Sequence, residues 1–461
     1  MSALILISVL GVLVLYLGIF AKKGVLAPVS ILGLLGVMAL FWTGWKIPHE
    51  YLGGMLEFDG YSTAFNLAML AITVLIFLFG PDYYKRMERH VAEQYALMMF
   101  SLTGGFILSS YNNLLMLFLG YEILSIPLYV LAGAKKYSLR SSEASLKYFL
   151  LGSFASAFML MGIALLYSLT GTFEMGRLGE YMLKYAGSGN LLLNFGLFFV
   201  VVGLAFKVGA APFHFWVPDV YTGSPTLVTT FMATVVKMAG FAGFYRLIAV
   251  TGMPDTLATT LALLVLATLL LGNVAALRQT NFKRLMAYSS VSHAGFLLLA
   301  VLADGAAEGT GLSTGGTLLF YTFTYSLATV GLFILFIIAK RANQGAEHNG
   351  IFQGLWNANP WLALCGLALL LSMAGIPLTA GFIAKYQVFL LAIKAGWLKV
   401  MGFGVLMALL GVYYYIMVAK AMFTPAAQPV TFVAARLNWL VITLCTVGIL
   451  LLGLWPSLVG L

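Results

Sequence analysis

Charge is what this sequence has least of. Only 9% of its 461 residues are Asp, Glu, Lys or Arg, where soluble chains carry roughly 25%. A soluble domain of this size is thereby excluded. Cysteine is scarce too. Cys365 and Cys445 sit in apolar runs and offer neither a disulfide framework nor a metal-binding cluster. The sequence also lacks a phosphate-binding glycine loop after a strand, an iron–sulfur cysteine spacing and a paired-histidine haem pattern. No cofactor is therefore expected to bind this chain, which is predicted to move something rather than transform it. The formal charge of +10 raises the question of nucleic acid. The basic residues do not gather into an aromatic-interleaved patch, so no nucleic-acid partner is expected. The N-terminus lacks a basic leader and a clear small-residue cleavage site, and reads as a first span rather than a removed signal.

Apolar residues are what is present. They make up 62% of the chain, and the mean hydropathy is +0.99. The fold class is an all-α polytopic membrane protein. At about 20 residues per span, roughly fourteen spans fit the apolar runs. The first six are predicted near 3–21, 25–43, 61–80, 95–110, 114–133 and 144–169. A polar stretch from Lys46 to Gly60 separates the second and third, and Pro81 to Gln94 reads as a loop. The segment Gly171 to Asn190 reads as interfacial, with one short amphipathic helix. Span 7 starts near 191, breaks around Gly209 to Pro212 and resumes toward Val220. Spans 8 to 11 fall near 225–250, 257–277, 283–302 and 314–340. Span 12 starts near 360, breaks around Gly375-Ile-Pro377 and continues past Lys385. Spans 13 and 14 fall near 400–423 and 435–456.

Basic residues favour the cytoplasmic side of a membrane, and here they alternate. Odd-numbered loops carry Lys22, Lys23, Lys85, Arg86, Arg89, Lys135, Lys136, Arg140, Arg278, Lys283, Arg284, Lys340, Arg341, Lys420 and Arg436. Even-numbered loops carry Lys46, Arg177, Lys184, Arg246, Lys394 and Lys399, along with Glu50, Glu57, Asp59, Asp304 and Glu308. The odd loops are predicted to be cytoplasmic and both termini periplasmic. A miscount by one span would scramble the segregation.

Four lysines are left over, Lys147, Lys207, Lys237 and Lys385, together with the carboxylate Glu122 in mid-span 5. A lysine at the centre of a span costs about 2.5–3.5 kcal/mol by insertion scales. A helix-interior proline costs about 3 kcal/mol and leaves a carbonyl unpaired. Both costs fall together in Phe206-Lys-Val-Gly-Ala-Ala-Pro212, a pairing that marks polar paths through membrane proteins. Desolvation favours the neutral form of a lysine and a nearby carboxylate the charged form. A buried lysine whose partner can approach or withdraw is thus a switchable proton carrier. For Glu122 the alternative is a static ion pair that fixes packing. For Lys147, four residues after Glu143, it is an interfacial pair with the lysine reaching to water. His293 and His214 are weaker candidates; a histidine can relay protons or simply pack through hydrogen bonds. The broken spans lie five apart, which predicts two inverted five-span repeats, spans 4–8 and 9–13. The organisation is then 1–94, 95–250, 251–425 and a C-terminal 426–461.

Three stretches carry a family resemblance. Lys207-Val-Gly-Ala-Ala-Pro-Phe-His-Phe-Trp-Val-Pro-Asp-Val-Tyr-Thr-Gly-Ser-Pro-Thr226, Ala276 to Gly295 with its Ala-Tyr-Ser-Ser-Val-Ser-His core, and Gly375-Ile-Pro-Leu-Thr-Ala-Gly-Phe-Ile-Ala-Lys385 resemble signatures of the antiporter-like subunits of respiratory complex I. The likeness runs over roughly residues 60–425. Pro218-Asp-Val-Tyr221 is similar to the N-type branch. Lys385 stands where the M type is expected to have glutamate, and the long lateral helix of the L type is missing. The resemblance implies a proton-translocating subunit in a bacterial inner membrane, with K-type and M-type neighbours and contact with the L-type lateral helix. NADH, FMN, iron–sulfur clusters and quinone would belong to partner subunits. It also implies roles: Glu122 with Lys207 as a gating ion pair, Lys237 as central relay, Lys385 as the lysine of the second half-channel, and Lys147 as the family's span-6 lysine. Tyr321, Tyr325 and His293 are candidates for linking Lys237 to Lys385. A cation/proton antiporter subunit is the first rival reading, and a non-conducting spacer that transmits conformational change is the second.

Overall fold

In lipid a backbone has no hydrogen-bond partner but itself, so each long apolar run closes its own bonds as a helix. The computed structural model describes residues 1–20, 22–45, 49–86, 90–185, 190–304, 312–426, 428 and 430–459. Lys46, Arg89 and Glu308, used in the charge reading, lie outside the described residues. α1 (Ser2–Phe20) and α2 (Lys23–Thr43) are peripheral, with 33% of each span window buried within the protein. The polar stretch that follows is not a plain loop. β1 (His49–Tyr51) and β2 (Leu56–Phe58) pair antiparallel, turned by Leu52, Gly53 and Gly54 at positive φ. The period-2 alternation Leu56-Glu57-Phe58 buries its two apolar side chains and was the available signal.

α3 (Gly60–Tyr83) opens on a reciprocal cap. The Ser62 amide donates to the Asp59 carboxylate at 2.7 Å, and the Asp59 amide donates to the Ser62 hydroxyl at 3.0 Å. It continues through Pro81, where a loop was expected, because a proline in the last turn sacrifices one terminal bond rather than a central one. α4 (Val91–Ser110) accordingly starts earlier than expected. α5 (Leu114–Ala132) follows, then α6 (Leu139–Thr170), which begins several residues before the expected span because a charged turn with Arg140 and Glu143 extends it. α7 (Met175–Tyr185) is the expected amphipathic helix, burying Met175, Leu178 and Met182 on one face.

The seventh span is α8 (Leu191–Val208) and α9 (Trp216–Gly223), separated at Gly209, which takes a left-handed φ of 75°. The eighth is α10 (Thr226–Ala233) and α11 (Val235–Thr251), interrupted at Thr234 (φ −112°, ψ −83°). That interruption was not anticipated. α12 (Asp255–Leu277), α13 (Phe282–Leu302) and α14 (Thr314–Ala342) are unbroken. The short α15 (Leu355–Ala358) leads to α16 (Pro360–Ala374) and α17 (Ala380–Lys394), separated at Gly375 with φ 83°. α18 (Leu398–Phe423) and α19 (Arg436–Leu454) complete the chain. Thirteen described segments are long and apolar enough to cross a membrane; the α16–α17 pair brings the crossings to the expected fourteen. The α10–α11 window is wholly buried, and those of α13 and α14 are 94% buried. These form the central axis.

Two basic residues assigned to loops are not loop charges. Arg246 on α11 is 9% exposed. It donates to the Tyr111 carbonyl (2.6 Å) and the Asp59 carboxylate (3.0 Å), with Glu57 at 3.4 Å, fastening β2 and the start of α3 to the centre. Lys283, at the start of α13, is 1% exposed and donates to the carbonyls of Ser224 (2.7 Å) and Thr222 (3.2 Å). A loop assignment rests on the edge of an apolar run and does not register the carbonyls that another element presents there.

Candidate functional site

Lys207 lies in the last turn of α8, two residues before the Gly209 break, and is buried. Its ammonium donates to the Ser125 hydroxyl of α5 at 2.7 Å and stands over the Tyr121 ring at 5.2 Å. Glu122, half-buried one helical turn from Ser125, accepts instead from the Ser156 hydroxyl of α6. The ion pair implied by the resemblance is therefore not a direct contact. Each charge is held by a serine, and Ser125 belongs to the same α5 face as Glu122 because i and i+3 are helical neighbours. The break is stabilised from other elements: Trp216 donates to the Phe206 carbonyl (3.0 Å), and the Ala211 amide donates to the Thr268 hydroxyl (2.9 Å). These satisfy groups that an interrupted helix leaves unpaired. His214 is buried within the turn, its ring against Phe215.

Lys237 follows the Thr234 interruption by three residues and is buried on the central axis. It donates to the Ser290 hydroxyl of α13 at 2.6 Å and also to the Ser290 carbonyl, with the Tyr325 ring centroid 5.6 Å away. One turn along α13, His293 bridges two phenols: Nδ1 meets the Tyr321 hydroxyl at 2.9 Å and Nε2 meets the Tyr415 hydroxyl at 3.1 Å. Tyr415 in turn contacts the Ser289 hydroxyl. One further turn along, Phe296 lies under Lys385, 5.2 Å from ring centroid to ammonium. Lys385 donates to the carbonyls of Met373 (3.1 Å) and Ala374 (2.8 Å), the open end of α16 across its own break. One face of α13 thus runs from Lys237 to Lys385 through Ser290, His293 and Phe296.

The structure brings Lys207, Lys237, His293 and Lys385 into the protein interior, with Glu122 at its flank. Lys147 is set apart. Its side chain is 41% exposed and pairs with Glu143 (2.7 Å) and Asp219 (2.8 Å), and Asp219 also receives Arg284 at 3.0 Å. Sequence reasoning missed Ser125, Ser156, Ser290 and Tyr415, all hydroxyls beside the charged groups. Ser290 alone had a usable signal, lying one turn before His293. Among the described residues no group of His, Cys, Asp and Glu is arranged to hold a metal.

A family model described as the NADH:quinone oxidoreductase/Mrp antiporter transmembrane region matches residues 111–411. The chain belongs to this family. The matched region holds Glu122, Lys147, Lys207, Lys237, His293 and Lys385. Among curated relatives, NADH-quinone oxidoreductase subunit N of Cytophaga hutchinsonii is 37% identical over 99% of this chain and 98% of its own length. Among solved structures, a chain of respiratory complex I from Thermus thermophilus is 33% identical, with a TM-score of 0.84 over 99% of this chain and 98% of that one. A chain of the Mrp complex from Dietzia has a TM-score of 0.85 over 99% of this chain and 95% of that one, at 20% identity. That second likeness is one of fold. In this chain the family's polytopic fold carries Lys207, Lys237 and Lys385 buried in its interior.

Proposed function

We propose that the chain is the N-type membrane-arm subunit of a NADH:quinone oxidoreductase, carrying protons through its buried lysines while electrons move through other subunits. The observation that carries this reading is the continuous face of α13 between Lys237 and Lys385, where His293 joins two phenols between two buried ammonium groups. A histidine donates at one ring nitrogen and accepts at the other, so protons can pass through it by exchange of tautomers. Buried ionisable residues in a membrane are expensive and mark such paths, and a spacer has no need of them.

Residues 95–250 and 251–425 act as two half-channels related by inversion. Supporting this, each half holds one broken span whose first piece ends on a left-handed glycine, Gly209 or Gly375. Glu122 opens the first half-channel through Ser125 and Lys207, Lys237 relays, and Lys385 serves the second. Neighbouring subunits cover the flanks. Glu122 and Ser156 are half-exposed beside the outward-facing Phe149, Phe154 and Phe158 of α6. A carboxylate is not left facing acyl chains, so a K-type neighbour belongs on this side, an M-type neighbour on the other, and the L-type lateral helix along the arm. NADH, FMN, iron–sulfur clusters and quinone reside in partner subunits. The odd loops face the cytoplasm of a bacterial cell, and both termini lie outside the inner membrane.

The rival is a cation/proton antiporter subunit, which shares the fold. Full-length identity to subunit N relatives favours the oxidoreductase. Purification through a tag on this chain tests it: co-purification of NADH:quinone reductase activity is expected, and a complex with cation exchange but no quinone reduction would overturn it.

A further inference from the structure

A cavity of about 520 Å³ opens on one face of the protein, and no apolar side chain is among its described lining residues. Lys135, Ser138 and Arg140 come from the loop after α5 and the first turn of α6, Asn281 from the approach to α13, and Lys340 and Glu347 from the end of α14 and the loop beyond it. These segments are odd loops or the helix ends beside them, so the cavity opens on the predicted cytoplasmic side. Its walls are fixed by backbone bonds. The Phe282 amide donates to the Glu347 carbonyl and the Asn349 amide to the Thr280 carbonyl, both at 2.8 Å, which fastens the segment before α13 to the loop after α14. A Cβ on Gly223 would stand 2.4 Å from the Arg140 carbonyl, so glycine lets α9 close against α6. The site is thus shaped before a ligand arrives, and binding carries little ordering cost.

The charges around this cavity do not balance. Glu347 is the one carboxylate among the described lining residues, and it is already engaged, by Lys340 and by the Asn281 side-chain amide at 3.2 Å. Among the described residues neither Lys135 nor Arg140 has a carboxylate at ion-pair distance. Lys340 acts on Lys135 as a like charge. Ser138 begins α6 without bonding its hydroxyl to the helix, which leaves that hydroxyl and the positive end of the helix at the same cavity. A cleft lined by one sign of charge concentrates ions of the other. Sites for ring or chain ligands are lined mostly by apolar side chains, and this one offers none. It suits a compact anion that takes hydrogen bonds from several directions, which is the chemistry of a phosphate group.

We propose that this cavity binds a phosphate group, held by Lys135 and Arg140 on one side and Lys340 on the other, with Ser138 as a neutral donor. Its occupant ties the loop after α5 to the loop after α14. Lys340 takes part without leaving Glu347, because an ammonium has three donors and one bond to the carboxylate leaves two. The group arrives as a free phosphate or as the headgroup of an anionic lipid, which basic pockets between helices on the cytoplasmic side bind. The site stands apart from the row of buried lysines and does not rest on the proton-translocating reading.

The test uses the intact complex, reconstituted in phosphatidylcholine vesicles, with labelled inorganic phosphate as the probe. Phosphate held by other subunits cancels in the difference between wild type and variants. Saturable binding is expected in wild type and equally in Lys136→Gln, whose residue is exposed and outside the lining. In the double variant Lys135→Gln, Arg140→Gln the affinity is expected to fall at least about tenfold, the loss of one hydrogen bond to a charged group. Ser138→Glu keeps every cation but places a carboxylate in the cavity, and the same loss is expected. Native gels establish assembly. Wild-type affinity in either assembled variant overturns the proposal, as does a wild-type complex that binds no more phosphate than the double variant. Vesicles of phosphatidylcholine with phosphatidylglycerol, at salt that screens their surface charge, separate the two sources. Unchanged phosphate binding there supports a free phosphate as the occupant, and its loss from wild type supports the lipid headgroup.

Discussion

Ser125 holds Lys207: its hydroxyl accepts from the Lys207 ammonium at 2.7 Å and donates to the Tyr121 carbonyl, while Glu122, one turn away on α5, is engaged by Ser156. Each charge thus has a hydroxyl partner of its own, so neither is left bare while the two are out of contact.

Removing that hydroxyl tests the connection. A lost hydrogen bond to a buried charge is worth about 1.5–3 kcal/mol, which as a barrier corresponds to roughly tenfold or more in rate. Ser125→Ala is expected to slow pumping by about that factor and Lys207→Ala by more, both read as initial rates in proteoliposomes. Wild-type rates in Ser125→Ala would show that the serine only fills space.

His293 makes a second, separable test. His293→Phe keeps a ring among the surrounding aromatics but removes both nitrogens, and Tyr415→Phe removes one of their partners. Both variants are expected to assemble, with His293→Phe cutting pumping severely and Tyr415→Phe less. Equal, wild-type pumping in both would place the path between Lys237 and Lys385 elsewhere.

Lys147 is predicted to matter less than the buried lysines. Its half-exposed pairs with Glu143 and Asp219 are of the kind worth about 0–1 kcal/mol. Lys147→Ala should lower the pumping rate by less than Lys207→Ala does. A loss as large as that of Lys207→Ala would put Lys147 on the path.

Orientation can be read by impermeant thiol labelling of single cysteines in oriented membranes. Lys136→Cys and Arg284→Cys should react only from the cytoplasmic side, Glu57→Cys and Asp304→Cys only from outside. Labelling of Arg284→Cys from outside would contradict the count of fourteen crossings.

Much of this architecture was legible because membrane costs are large. A lysine beside a Gly/Pro break is too expensive to be incidental, so Lys207, Lys385 and the two spans broken at Gly209 and Gly375 stood out in the sequence. The interruption at Thr234 did not, since no glycine or proline marks it. Thr229, Thr230 and Thr234 instead turn their hydroxyls back onto carbonyls of the preceding turn, and threonine does this in straight helices as well. The serine holding Lys207 was invisible for a related reason: a hydroxyl gains its meaning from what faces it across helices. Arg246 and Lys283 were misplaced because a charge at the end of an apolar run looks the same whether it meets water or another helix's carbonyls.

The central claim is that charge moving on Lys237 is a step shared by proton transfer and electron transfer. Its most direct test is the number of protons pumped per NADH oxidised, measured with the oxidation rate, for Lys237→Ala in proteoliposomes after assembly is verified by native gel. The account predicts an assembled complex in which pumping and quinone reduction fall together, with Lys237→Arg rescuing poorly because arginine keeps its proton. Full pumping and full quinone reduction in assembled Lys237→Ala would contradict it and reduce the buried lysine to a structural charge.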